Sequence, residues 1–156
     1  MRKVHRSFAA VTAPLALAAA LLAAAVVAAD AVAADFVAGQ VWSAKGRAKD
    51  PDPHVLVLRV EPGSPVGDVV FVAVDGVKLC LPDGKCGDTF SPLAMSKAAL
   101  EQSVKDLVRT LDRKLDFEKG YQFWKDGVAK GTPVTITVPL AEALDQIEGG
   151  AKIQVK

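Results

Sequence analysis

Residues 68–75 read Asp68-Val69-Val70-Phe71-Val72-Ala73-Val74-Asp75. An unbroken apolar run between two aspartates, rich in β-branched side chains, predicts a central strand buried on both faces. Just before it, His54 to Glu61 (HVLVLRVE) sets Val55, Val57 and the more polar Arg59 against Leu56, Leu58 and Val60. That alternation is the period of a strand. Pro62-Gly63-Ser64-Pro65 supplies turn formers between the two. Neighbouring strands with a short connection imply an antiparallel meander. Upstream, Phe36 to Ser43 reads as a first strand, and Lys45 to Pro53 as an exposed, charged loop. Downstream, Gly76 should turn the chain, with Val77 to Leu81 leading away.

After Ser96 the period changes. Apolar residues fall at Leu100, Val104, Leu107, Val108, Leu111 and Leu115. This spacing predicts an amphipathic helix over 97–115, capped by Ser96, with Leu107 and Leu111 in the core. Glu101 and Lys105 would pair on its outer face. Arg109, Arg113 and Lys114 would suit its C-terminal dipole, with Asp106, Asp112 and Asp116 interleaved. Asp116 then caps a second helix, Phe117 to Val128, whose stripe of Phe117, Tyr121, Trp124 and Val128 reads as a core face rather than a ligand shelf. Val134 to Val138 (VTITV) reads as a strand and Leu140 to Ile147 as a short helix behind Pro139. The expected fold is α+β, a small antiparallel sheet with two main helices packed on one face.

The N-terminus carries a different signal. Arg2, Lys3, His5 and Arg6 precede an uncharged run from Ser7 to Ala29, and Ala31-Val32-Ala33 closes it. A basic head, an apolar middle and a small-x-small exit are the parts of a secretory signal peptide. Cleavage is expected between Ala33 and Ala34. The run is also long enough for an uncleaved anchor, but it is dominated by Ala and broken by Pro14. The expected organisation is a signal peptide over 1–33, one α+β domain over 34–148, and a tail or edge strand over 149–156. The destination is periplasmic or secreted, with no membrane attachment after cleavage.

Charge and cysteines narrow the function. Arg2, Lys3, Arg6 and Asp30 leave with the segment, so the remainder has 16 basic and 17 acidic residues, a net charge of −1. A near-neutral domain has no electrostatic reason to bind nucleic acid. Cys80 and Cys86 flank Leu-Pro-Asp-Gly-Lys. The Pro82-Asp83-Gly84 turn brings them together, and an exported protein should oxidise them to a disulfide. So short a loop contributes about 2–2.5 kcal/mol in the chain-entropy picture. Redox pairs are usually spaced more closely, and a zinc site needs more ligands than one His54 provides. No metal or other cofactor is expected.

No catalytic motif appears. There is no phosphate loop, no GxGxxG and no HExxH, and Gly63-Ser64-Pro65 is not a nucleophile elbow. His54 reads as a surface or edge histidine, and Asp75-Gly76 as a turn. No catalytic residue is assigned, and the binding residues are unknown at this level. The expectation is a non-enzymatic binding or protein-interaction domain of the bacterial cell envelope, of inhibitor or immunity type, with another envelope protein as partner. The competing reading is a small-ligand carrier built on Trp42, Tyr121 and Trp124, or a carboxylate-based hydrolase.

Five segments taken together, Ala38-Gly39-Gln40-Val41-Trp42-Ser43, Val57 to Glu61 (VLRVE), Val72 to Gly76 (VAVDG), Ser96 with Leu100 and Ser103, and Asp116-Phe117-Glu118 with Gly120, Tyr121 and Trp124, carry a resemblance. The chain resembles a group of small bacterial proteins sharing GQVW, LxILKVE, HISVDG, SxxALxxS and DFExGYxxW in this order, over roughly residues 38–148. The resemblance implies a single α+β domain and no named activity. Phe71 and Ala73 stand where the group has His and Ser, and Pro92 falls near where it has a further His. A histidine site in the group therefore does not transfer. The Cys80–Cys86 loop is not part of the pattern.

Intact mass of the exported protein should correspond to a chain beginning at or close to Ala34. A membrane-bound species retaining residues 1–33 would establish the anchor instead.

Overall fold

The structure is a computed structural model that describes residues 34–112 and 116–150. The segment 1–33, with Ala33 of the cleavage pair, lies outside the described residues, as do Arg113, Lys114, Leu115 and the tail from 151.

The apolar run at 68–75 is the middle of a long strand. The elements are β1 (Gln40–Ala44), β2 (His54–Ser64), β3 (Gly67–Cys80), β4 (Cys86–Ser96), α1 (Lys97–Ser103), β5 (Val104–Thr110), α2 (Glu118–Ala129) and α3 (Leu140–Glu148). The strands form one antiparallel sheet in the order β4-β3-β2-β1-β5. β1, β2 and β3 make the expected antiparallel meander, β4 extends it beyond β3 as a strand not expected from the sequence, and β5 returns to pair with β1. Cys80 and Cys86 face each other at the β3–β4 tip and are disulfide-bonded.

Alternation along β3 separates two cores. Val70, Val72 and Val74 point to one face, where Leu100 of α1 and Leu140, Ala143 and Leu144 of α3 cover them. Val69, Phe71 and Ala73 point to the other, where Tyr121 and Trp124 of α2 sit. The fold class is α+β as expected. The helices, however, are divided between the two faces rather than gathered on one, because β3 is apolar on both.

The second correction concerns 97–115. Ser96 does cap the helix, its Oγ accepting the Ala99 amide at 3.2 Å, but the helix ends at Ser103. Ser103 Oγ donates to the Ala99 carbonyl at 2.6 Å and accepts the Leu140 amide at 2.8 Å, tying the end of α1 to the start of α3. The chain from Val104 then pairs with β1. Val104 is fully buried, but Leu107 and Val108 are each 47% exposed and Leu111 is only half-buried. Lys105 and Arg109 are strand residues, and Glu101 pairs with Lys97 instead. Val104, Val108 and Thr110 are good strand formers, and the sheet edge beside Trp42 offers a ladder that a lone helix cannot match.

Smaller differences have equally local causes. β3 runs through Gly76 with an irregularity in its pairing to β4 rather than turning there. Residues 134–138 make an isolated bridge, Ile136 to Met95, in place of a full strand. α2 starts one residue later than expected, with the Asp116 carboxylate accepting the Glu118 amide.

The register implies a contrast. Leu100→Ala, in the core, should cost about 2–5 kcal/mol in denaturant melts. Leu107→Ala should stay within about 0.5 kcal/mol. Equal losses would mean that the 97–115 stripe faces a core along its whole length.

Candidate functional site

The site begins with an irregularity in β2. Val57 pairs with Val72, but Arg59 pairs with Phe71, so Leu58 and Arg59 together oppose one residue of β3. Such a bulge reverses the phase of alternation. Arg59, read in the sequence on the same face as Val57, is turned to the α2 side. Its guanidinium lies 4.1 Å above the Tyr121 ring, and its Nε donates to Glu61 at 3.1 Å. Tyr121 Oη donates to the same carboxylate at 2.9 Å. Burial, together with Glu61, raises the Tyr121 pKa above its ordinary value.

α2 covers only half of this face. Its aromatic stripe packs on Phe71, whose ring centre is 5.3 Å from Tyr121 and 5.2 Å from Trp124. The Trp124 indole donates to Thr135 Oγ1 at 3.0 Å. Gly120 lets the helix approach β4, since a Cβ there would stand 2.2 Å from Pro92 Cγ. The core reading of the stripe therefore fits. Trp42 lies on the opposite face, edge-on to Phe36, so Trp42, Tyr121 and Trp124 do not form one ligand shelf.

The other half of the face has an apolar floor. Val41, Leu56 and Ala73 are register neighbours across β1, β2 and β3, and Arg109 of β5 stands opposite Val41. A cavity of about 500 Å³ opens here, lined by Leu56, Leu58, Arg59, Leu111, Asp112 and Phe117 among others. A smaller recess of about 140 Å³, with His54, Asp75, Thr89 and Arg109 on its walls, shares Leu56 and Leu111 with it. Gly39 closes one side. Its φ of +93° and its approach to the Leu111 carbonyl, 2.5 Å from where a Cβ would stand, exclude a side chain.

Register also aligns Ser43, His54, Asp75 and Thr89 in a polar row across four strands. His54 Nδ1 is 3.8 Å from Asp75 Oδ1. Ser43 resembles a nucleophile beside this pair only by position. Its hydroxyl accepts the Asp106 amide at 3.2 Å, filling a bulge in the β1–β5 ladder. Among the described residues, no three His, Cys, Asp or Glu side chains are grouped to hold a metal.

The groups most committed to charge lie elsewhere, in the segment read as an exposed loop. Arg47 and Asp50 are 8% and 3% exposed. Arg47 contacts Asp50 through Nε and Nη2, gives Nη2 to the Lys78 carbonyl, and gives Nη1 to Asp145 and Glu148 of α3. Asp50 also accepts the Lys78 amide at 2.8 Å, and Glu148 accepts the Cys80 amide and pairs with Lys49. Burial works against the Asp50 charge, but the Lys78 amide and Arg47 outweigh it and hold the carboxyl below its ordinary range. Lys49, then the Cys80 amide, hold Glu148 low too. These shifts belong to a structural tie that joins the β1–β2 loop to β3 and α3.

No protein family, curated protein or solved structure matches this chain. Of the residues singled out in the sequence, Cys80 and Cys86 are bridged and Ala34 is buried at the start of the described chain. Arg59, Leu56, Asp112 and Phe117 were not foreseen as site residues. An arginine inside an otherwise apolar strand was the available signal.

Because both carboxyls are held low, their contribution to stability is complete above the ordinary carboxylate pKa of about 4 and is lost as pH falls through the lowered values. Asp50→Asn should flatten that acid dependence. It should cost about 3 kcal/mol at neutral pH, the lower end for opening a buried pair, because Asp145 and Glu148 still face Arg47. Unchanged acid melts would show that the tie carries no stability.

Proposed function

We propose that this protein is an exported, non-enzymatic binding domain of the bacterial cell envelope, and that the uncovered half of the sheet face takes up a small ligand. The cavity of about 500 Å³ carries this reading: it is concave, floored by aliphatic side chains and flanked by a few polar groups, and its size lies within the range of small-molecule sites. Export is supported by the basic head, apolar run and Ala31-Val32-Ala33 exit, and by the Cys80–Cys86 disulfide. The ligand-carrier form is preferred to the inhibitor form, because the recess is concave and of small-molecule size.

One observation favours contact with another envelope protein as a second reading. Phe123 of α2 is 72% exposed beside an apolar cleft lined by Phe90, Pro92, Val134 and Ile147. Isolated exposed apolar residues are common, so the cavity takes precedence.

A neutral fluorescent probe, N-phenyl-1-naphthylamine, distinguishes the two. Saturable binding should weaken roughly tenfold or more in Leu56→Glu, which places a charge on the floor, and should persist in Phe123→Ser. Loss in Phe123→Ser alone would move the site to the cleft, and absence of saturable binding would remove the carrier reading. Turnover in a hydrolase panel that disappears in His54→Ala or Asp75→Asn would overturn the non-enzymatic assignment.

A further inference from the structure

We infer that the ligand of the 500 Å³ cavity is a monomeric amphipathic anion, an apolar chain or ring bearing one acid group, and that Arg59 holds its head. The inference rests on the binding reading above and adds the ligand's chemistry. Among the described residues that line the cavity, Arg59 is the cation, and two contacts orient it. The face of its guanidinium lies on Tyr121, and Nε is engaged by Glu61. Nε is therefore used, and among the described residues the Nη pair makes no hydrogen bond. In the inferred complex that pair faces a planar acid group, the geometry at which arginine excels. Ordering a long side chain in advance removes part of the cost of binding.

The charges around the Tyr121 ring are mixed, Arg59 and Lys125 positive and Glu61 and Glu118 negative, so the preference rests on the Arg59 guanidinium and not on net charge. Glu61 takes the Arg59 Nε–H and the Tyr121 hydroxyl on one oxygen, Oε2, and so orients the guanidinium. Lys125 lies 5.6 Å from the centre of the same ring and adds a second positive charge nearby. Asp112 is an exposed carboxylate on the same cavity wall. Leu56, Leu58, Leu111 and Phe117 accept the apolar part.

Titration calorimetry with decanoate, 1-decanol and decylammonium, all below their aggregation limits, tests the assignment. Decanoate should bind roughly tenfold tighter or more than either companion, the difference a charge-assisted hydrogen bond supplies. Arg59→Gln should erase that preference while leaving decanol binding in place, and Arg59→Lys should retain part of it. Vesicles of phosphatidylglycerol separate the two sources of an acid head group. Retention on vesicles without decanoate binding would mean surface adsorption and would overturn the inference. Decanol binding as tight as decanoate, or an Arg59→Gln protein with full decanoate affinity, would overturn it as well. If the naphthylamine probe binds and no head group is preferred, the anion assignment alone falls. If neither the probe nor any decyl compound binds, the carrier reading falls with it. Should Arg59→Gln lose every ligand through disturbed Tyr121 packing, the head-group preference of the unaltered protein decides.

Discussion

Both sides of β3 must be kept from water. Val69 to Val74 are all buried, and a strand with no polar side is stable only between two layers. That demand shapes the rest of the molecule. α1 and α3 lie together on one face, joined by the Ser103 hydroxyl, and the single helix α2 lies on the other. A helix is only about 10–12 Å across, whereas five strands span about 19 Å, so among the described residues the half of that face toward β1 and β5 has no helix over it. The cavity follows from this shortage of cover rather than from a dedicated insertion.

The sequence reveals these layers unevenly. β2 and β3 were legible because their periods are unambiguous, and α2 because four apolar residues at helical spacing are hard to place otherwise. The Ser96 cap and the disulfide were legible from chemistry that acts over a few residues. The stretch 104–110 was not. Val104, Leu107, Val108 and Leu111 satisfy a helical stripe, and only the unfilled ladder of β1, a partner more than sixty residues away, makes them a strand. β4 escaped notice because Gly87, Asp88 and Pro92 dilute its apolar residues; it is held by pairing with β3. The Arg47–Asp50 tie was invisible because its partners, Lys78, Asp145 and Glu148, are distant in the chain, so its charges read as solvated.

The motifs behind the resemblance fall largely at joints of the fold. Gly39 lets β1 approach Leu111, Ser96 starts α1, Ser103 links α1 to α3, Gly120 seats α2 on Pro92, and Glu61 and Tyr121 hold Arg59. Conformational and packing demands at these points account for these residue types without a chemical role. Phe71 is the clearest case. It is the centre of the aromatic cluster, 1% exposed. A histidine there would bring a polar ring into that cluster, so packing accounts for Phe71.

The open half-face owes its character to departures from regular pairing. Without the bulge at Leu58, Arg59 would point with Val57 into the core, where an uncompensated guanidinium could not be buried. The bulge instead brings it beside Tyr121 and Glu61, at the boundary between the covered and open halves of the sheet. The two shifts in the β1–β5 ladder act on the other side. One is filled by the Ser43 hydroxyl, and both bend an edge strand that carries Lys105, Asp106 and Arg109 on its exposed length. Bulges and charges are what natural sheets use to prevent edge-to-edge pairing. With that edge blunted, β5 is a poor template for another strand.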